Sequence, residues 1–239
     1  KSICFAVGDV DEDGVADIAI SAGEEIRILR GEAGRTPAFK ESISTLVAPA
    51  IDLMLADIDM EGDLDLLLAS GEGPIQLSLN EGRNFRSLED SPDLGADEIV
   101  NSIVAVRDLD RDHDPDLLLA GETLSWISGA PQWKFSENPE QRPLTAGAPI
   151  AATSALLADV DGQLGADLVL LQDGKLRILR QAATVKDALG KAIFDDEVSL
   201  PAEITSETFE TIATADLDLD GPQEILLGGT SRTAILHHM

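Results

Sequence analysis

Residues 56–68 read ADIDMEGDLDLLL, and the same pattern recurs as GDVDEDGVADIAI at 8–20, RDLDRDHDPDLLL at 107–119, ADVDGQLGADLVL at 158–170 and ADLDLDGPQEILL at 215–227. The leading aspartates Asp9, Asp57, Asp108, Asp159 and Asp216 are spaced by 48, 51, 51 and 57 residues. Each copy follows D-x-D-x-[DEQ]-x-x-x-[DE] and runs directly into an apolar stretch. Of the twenty residues at positions 1, 3, 5 and 9, 19 are Asp or Glu, over two fifths of the 45 acids in the chain. A solvated charge run predicts neither alternation nor a fixed period. Here an apolar residue (Val10, Ile58, Leu109, Val160, Leu217) always separates the first two acids. Carboxylates at alternating positions of a tight turn converge on one centre and repel one another unless a cation sits there. Calcium, a hard ion that takes six to eight oxygens from flexible loops, suits that arrangement. Position 12 is apolar in every copy (Ile20, Leu68, Leu119, Leu170, Leu227), which excludes the EF-hand and its bidentate glutamate.

Outward from each loop the order of apolar runs repeats. One run leads in (ICFAV, IDLMLA, SIVAV, SALLA, ETIATA) and a second leads out. After a turn comes a third, alternating run (EIRILR, IQLSLN, TLSWIS, KLRILR, TAILH), then a weaker fourth such as FKESI or FRSLED. Runs of this length between turn residues read as strands. Four short strands per unit of about fifty residues is the pattern of a β-propeller blade. The expectation is an all-β fold: one propeller domain over 1–239, with five blades of mostly four antiparallel strands, starting near residues 3, 51, 102, 153 and 209. Phe39, Phe85, Phe135 and Phe194 share a phase and are expected in the repeat cores. The segment 182–190 (AATVKDALG) coincides with the longest spacing and reads as an insertion with a short helix. Before Asp9 there are 8 residues and after Asp216 there are 23, too few together for a full repeat. The last blade is therefore expected to have three strands and an open edge, which invites strand addition or self-association. The ring is expected to close with five blades, the alternative being a portion of a larger ring. The start at Lys1 suggests a mature or excised piece of a longer protein.

Composition narrows the partners. The chain has 239 residues and a formal net charge of −28, which argues against nucleic acid and anionic membranes. No run approaches the roughly 18 apolar residues of a membrane span. The single Cys4 excludes a disulfide scaffold. The histidines are His113, inside a loop, and His237 and His238 at the C-terminus. Without a nucleophile elbow, zincin or phosphate-loop pattern, no enzyme is expected. Paired carboxylates for glycoside hydrolysis are the alternative, but the loops already claim most acids. There is no Tyr, and only Trp126 and Trp133 are left over as sugar platforms; their burial is the simpler reading.

Residues 57–85, DIDMEGDLDLLLASGEGPIQLSLNEGRNF, resemble the VCBS/FG-GAP repeat, the propeller unit shared with integrin α-chain head domains, and FAVGDVDEDGVADIAI from Phe5 resembles its FG-GAP form. The resemblance implies calcium bound between the first two strands of a blade, in extracellular, periplasmic or cell-surface adhesion modules. A protein ligand is favoured, with a lectin or a rigid structural domain of a larger protein as alternatives. By position it implies as ligands Asp9, Asp11, Asp13, the Val15 carbonyl and Asp17; Asp57, Asp59, Glu61, Asp63 and Asp65; Asp108, Asp110, Asp112, Asp114 and Asp116; Asp159, Asp161 and Asp167; and Asp216, Asp218, Asp220 and Glu224. His113 stands where the turn glycine belongs and weakens the third loop. The fourth has Gln163-Leu164 for Asp-Gly and is the doubtful one, so about four calcium ions are expected. The order of occupancy is first loop, then second and fifth, then third, then fourth.

Overall fold

The apolar runs after the second, third and fourth loops are buried on both faces, while Ile18, Ile20 and Leu226 leave one face of the first and fifth runs partly exposed, and that decides how the repeats assemble. In the computed structural model, residues 3–22, 25–34, 36, 38–42, 50–71, 75–82, 84–87, 100–129, 144–145, 149–163, 165–181, 193–230 and 232–237 are described. Among them, eighteen strands form five antiparallel sheets of three or four strands, each taken from one repeat. The first sheet is β1 (Ile3–Gly8), β2 (Asp17–Ala22), β3 (Ile26–Glu32) and β4 (Ala38–Ser42). The second is β5 (Asp52–Ala56), β6 (Asp65–Ala69), β7 (Gln76–Asn80) and β8 (Phe85–Ser87). The third holds β9 (Ser102–Arg107), β10 (Asp116–Ala120) and β11 (Leu124–Ile127). The fourth is β12 (Ser154–Ala158), β13 (Asp167–Gln172), β14 (Lys175–Gln181) and β15 (Phe194–Glu197). A four-residue helix, α1 (Ala202–Thr205), precedes the fifth sheet of β16 (Thr211–Ala215), β17 (Glu224–Gly228) and β18 (Thr233–Leu236). In every sheet the strands pair in chain order.

Contacts divide the chain into two compact units. One comprises residues 1–108, 113–121 and 127–137, the other residues 109–112, 122–126 and 138–239. In the first unit β6 shows the packing logic. Leu66 and Leu68 join Ala19, Ile26 and Ile28 of the first sheet in one core. Leu67 and Ala69 point the other way, into a core with Ile103, Leu117 and Leu119 of the third repeat. The two-residue period of a strand thus feeds two interfaces at once. Each of these leucines is at most 2% exposed and contributes roughly 1.5–3 kcal/mol by burial. The leading strands also touch: Asp52 Oδ2 on β5 accepts from Ser102 Oγ at 2.7 Å and from the Ile103 N–H at 2.9 Å. In the second unit Val169 and Leu171 of β13 pack with Ile212, Ile225 and Leu227 of the fifth sheet, and Ile204 of α1 joins them.

The strands expected within the described residues are present, and the fifth sheet has three there. The shared phase of the phenylalanines does not give a shared environment. Phe194 is fully buried, Phe85 is half-buried and Phe39 is 47% exposed, so the core expectation is corrected for Phe39. Phe209 is buried but precedes β16 rather than lying in it. Trp126 is buried on β11. Phe135, Trp133, the 182–190 insertion and any fourth strand of the third repeat over 130–143 lie outside the described residues. Among the described residues no helix is long and apolar enough to cross a membrane.

Candidate metal loops

Each acidic segment links the first two strands of its sheet. It curls because two residues enter the left-handed region. Glu12 and Gly14 have φ of 57° and 85°, Met60 and Gly62 60° and 100°, Arg111 and His113 65° and 82°, Leu219 and Gly221 64° and 111°. The sixth position is the turn glycine foreseen from sequence, with His113 as its substitute. The left-handed fourth position was hidden by its non-glycine occupants. Only the fourth copy shows it, with Gly162 at φ 70°.

The curl turns backbone N–H groups onto the first carboxylate. Asp9 Oδ2 accepts from Gly14 N at 2.8 Å, Asp57 Oδ2 from Gly62 N at 3.1 Å, Asp108 Oδ2 from His113 N at 3.0 Å and Asp216 Oδ2 from Gly221 N at 3.2 Å. In the fourth copy the turn is shorter and Asp159 Oδ1 accepts from Gly162 N at 2.7 Å. Position 3 accepts from the N–H of position 5: Asp59 from Glu61, Asp110 from Asp112, Asp161 from Gln163, Asp218 from Asp220. In the first loop Asp13 instead accepts from Val15 N. One oxygen of Asp57 and of Asp216 is thereby used, and the Oδ1 of each is buried without a hydrogen-bond partner, as is Asp11 Oδ1, whose Oδ2 faces Arg30. A buried polar atom left unsatisfied costs about 1–3 kcal/mol, more when charged, a cost that a bound cation would offset.

The ninth-position acid does a second job. Asp17, Asp65, Asp116, Asp167 and Glu224 are all buried. Asp17 accepts from Val10 N at 2.9 Å and from Gly31 N at 2.7 Å. Asp65 accepts from Ile58 N and Asn80 N, both at 2.9 Å. Asp167 takes Val160 N and Gln181 N more loosely, at 3.3 and 3.4 Å. Asp116 accepts from Gly129 N at 2.8 Å and Glu224 from Leu217 N at 2.7 Å. Asp17, Asp65, Asp167 and Glu224 brace the start of the loop, and in the first four repeats the ninth-position acid holds the chain at or just past the end of the third strand. The neighbouring loop is tied in as well: Asn80 Nδ2 donates to Val10 O at 2.9 Å, and Gln181 Nε2 to Leu109 O at 3.1 Å.

Burial first, and clustered negative charge after it, shows in the acidities. Burial, only partly offset by the Asn80 and Ile58 N–H donors, pushes Asp65 up to about 6, with Asp59 and Asp63 adding to the rise. Asp63 is raised by burial first and then by Asp59, Glu12 and Asp57, so Glu12 of the first loop lies near the second. Asp167 is raised mainly by burial, with Asp161 and Asp159 adding to it.

Sequence reasoning missed the basic side chains that reach three of the loops. Arg30 Nη1 lies 3.0 Å from Asp11 Oδ2 and 3.5 Å from Asp17 Oδ2. Arg180 Nε lies 2.9 Å from Asp161 Oδ2, and His237 Nδ1 lies 3.8 Å from Glu224 Oε1. All three occupy one register position. They follow Leu29, Leu179 and Leu236, which pair with the residue after the ninth-position acid: Ile18, Leu168 and Ile225. The signal was the shared final Arg of EIRILR and KLRILR. In the second repeat Leu79 precedes the bracing Asn80 at that place.

Potential ligand atoms lie within 4.8 Å of one another for Asp9, Asp11 and Asp13, for Asp57, Asp59 and Asp65, for Asp159, Asp161 and Asp167, and for Asp218, Glu224 and His237. Glu61 is exposed and Asp63 half-buried at the rim of the second loop. The third loop is divided between the units: Asp108, Asp114 and Asp116 belong to the first, Asp110 and Asp112 to the second. The second loop fits a hard divalent ion. Its donors are carboxylates only, one oxygen is orphaned, and no basic side chain is seen to pair with Asp57, Asp59 or Asp65 among the described residues.

The FG-GAP-like repeat family profile matches residues 57–119, which comprise the second acidic loop and the third with the strands between, consistent with an FG-GAP/VCBS repeat family. No curated protein matches the chain in sequence. Among solved structures, the chain is similar to a lectin from Agrocybe aegerita described by its specific recognition of non-reducing terminal N-acetylglucosamine. The TM-score is 0.62 at 14% identity, covering 98% of this chain and 62% of the lectin. It is also similar to BBS1N in a complex with ARL6DN, with a TM-score of 0.55 at 12% identity, covering 96% of this chain and 59% of the other. The chain thus spans about three fifths of the length of each. At these identities the likeness speaks for the fold, a β-propeller-like all-β architecture.

Proposed function

We propose, taking the FG-GAP-like repeat as premise, that the chain is a calcium-binding β-propeller that serves as a non-enzymatic binding or adhesion module outside the cytoplasm. The observation that carries this reading is the second loop, where Asp57, Asp59 and Asp65 converge around a buried unpaired oxygen. Occupancy ranks by what already neutralises each loop. The second comes first, because Leu79 stands where Arg30 and Arg180 supply a positive charge elsewhere. The first and fourth loops carry an internal cation and bind calcium more weakly. Bound ions stiffen the turns between leading strands, and the ligand-binding surface is the end of the sheets they shape. The −28 charge favours a basic protein partner. Carbohydrate is the second reading, favoured by the sugar-recognising lectin of similar fold.

Thermal melting in calcium, in magnesium and in excess chelator tests the reading. At free calcium ten times Kd each site adds about 1.4 kcal/mol. Melting should therefore fall on chelation, and magnesium, with its stricter octahedral demand, should restore little. Identical melting in all three media refutes the calcium reading. Calcium-dependent binding to immobilised N-acetylglucosamine or other glycans, with no binding to basic proteins, would replace the protein ligand by a sugar.

A further inference from the structure

The fifth loop departs from the others in donor chemistry. Where β3 and β14 carry Arg30 and Arg180 near their ends, β18 is followed by His237, and an imidazole can ligate a metal as a guanidinium cannot. His237 Nδ1 lies 3.8 Å from Glu224 Oε1, and Asp218 offers a carboxylate oxygen to the same group. An independent observation points into this cluster. Glu224 is fully buried, its Oε2 accepts from the Leu217 N–H at 2.7 Å, and its Oε1 has no hydrogen-bond partner. Glu224 is held by its brace, so this oxygen is fixed in place and aimed at the imidazole rather than at solvent. Two ligands about 2.0–2.1 Å from one tetrahedral zinc stand roughly 3.4 Å apart, so the 3.8 Å separation closes around an ion with a shift of a few tenths of an ångström.

We propose that Asp218, Glu224 and His237 form a binding site for a borderline transition-metal cation of the zinc class, separate in selectivity from the all-oxygen loops. The inference rests on the reading of these loops as metal sites and names the metal class of one of them. Calcium takes oxygen ligands, and nitrogen donors select zinc and its first-row neighbours. Three protein ligands leave a fourth position open, the pattern of a zinc site that also accepts water or a partner's side chain. His237 is 71% exposed at its side chain, so the open position faces solvent.

The test uses the intact chain, stripped of metal, with zinc titrated calorimetrically in saturating calcium and the bound metals counted by elemental analysis. The expected result is one zinc per chain that calcium does not displace. His237→Ala should weaken zinc at least tenfold with the calcium count unchanged, and His238→Ala should leave zinc binding intact. His237 is exposed, so its removal does not threaten folding. His237→Asp, which makes the set all-oxygen, should lose zinc and gain calcium. Equal zinc affinity in wild type and His237→Ala overturns the proposal, as does zinc lost only with His238. No zinc with calcium still bound sinks this inference alone. Zinc bound through His237 in a chain that takes no calcium sinks the calcium reading and leaves this one standing.

Discussion

Asp65→Asn in the metal-free protein separates charge from bracing. The Asp65 carboxyl, buried and ringed by acids, titrates at about 6 against 3.8 for an ordinary aspartate. The folded-state value lies above the unfolded one, so between these values the folded chain holds the proton more tightly. Stability therefore rises as pH falls through that window. At pH 7 holding the ionised form costs about 3 kcal/mol, and lowering the pH to 5 recovers about 1.3 kcal/mol of it. For a chain of this length that amounts to about 3–5 °C in Tm. Substitution by Asn removes the titration and leaves one of the two N–H donors, Ile58 or Asn80, facing an amide NH2, a loss of about 1–3 kcal/mol. At pH 7 the two effects nearly cancel; at pH 5 about 1.7 kcal/mol of the first remains, so the balance moves toward wild type by about 1.3 kcal/mol. Melts followed by circular dichroism in excess chelator at pH 7, 6 and 5 should show wild type gaining on the variant as pH falls. Acids not coupled to Asp65 respond alike in both proteins and drop out of the difference, which reports Asp65 together with its neighbours Asp59 and Asp63. Saturating calcium, which binds the ionised form, should reverse the wild-type trend. A difference in Tm that does not change with pH refutes the buried-charge account.

Arg30→Met takes the internal cation from the first loop, so its melting point should drop in chelator and recover much of the loss in calcium; a calcium–chelator gap no wider than in wild type counts against Arg30 as a substitute ion. Leu67→Ala opens a cavity between two sheets of the first unit and should cost about 2–5 kcal/mol in denaturant unfolding, with less than 1 kcal/mol contradicting its place in that core. His113→Gly relieves a left-handed residue at φ 82° and should stabilise the protein by about 1 kcal/mol, measured by the same unfolding, whereas destabilisation would mean that the exposed approach of its Nδ1 to Asp108 Oδ2, at 3.8 Å, outweighs the strain.

The loops and their flanking strands were legible because each announces itself locally. DLLLA is apolar at successive positions and too short, between turn residues, for a buried helix, so it reads as a strand covered on both faces, and alternating acids have few other uses. Arg30 and Arg180 were not legible as loop residues, since they lie 13–21 positions away and arrive only through the register of the third strand. The bracing role of Asp17 and Asp65 was hidden for the same reason, as their partners Gly31 and Asn80 are backbone groups with no sequence signature. Periodicity fixed where Phe39 falls in its repeat but not which face of β4 it takes. Helix α1 is four residues long, too short to show a helical period.

The division of β6 between two cores bears on how such a chain arises and changes. A repeat here is not a part with its own interior: it is one wall of each of two rooms, with Leu66 and Leu68 facing one and Leu67 and Ala69 the other. Duplication or loss of whole units keeps every wall in phase, and the breakpoints that do so fall between the fourth strand of one unit and the first of the next. A single inserted codon within β6 would exchange the two faces and spoil both rooms at once. Lengths should therefore drift freely in the connections, as the 57-residue spacing before Asp216 illustrates, while the five residues of β6 admit substitution but neither insertion nor deletion.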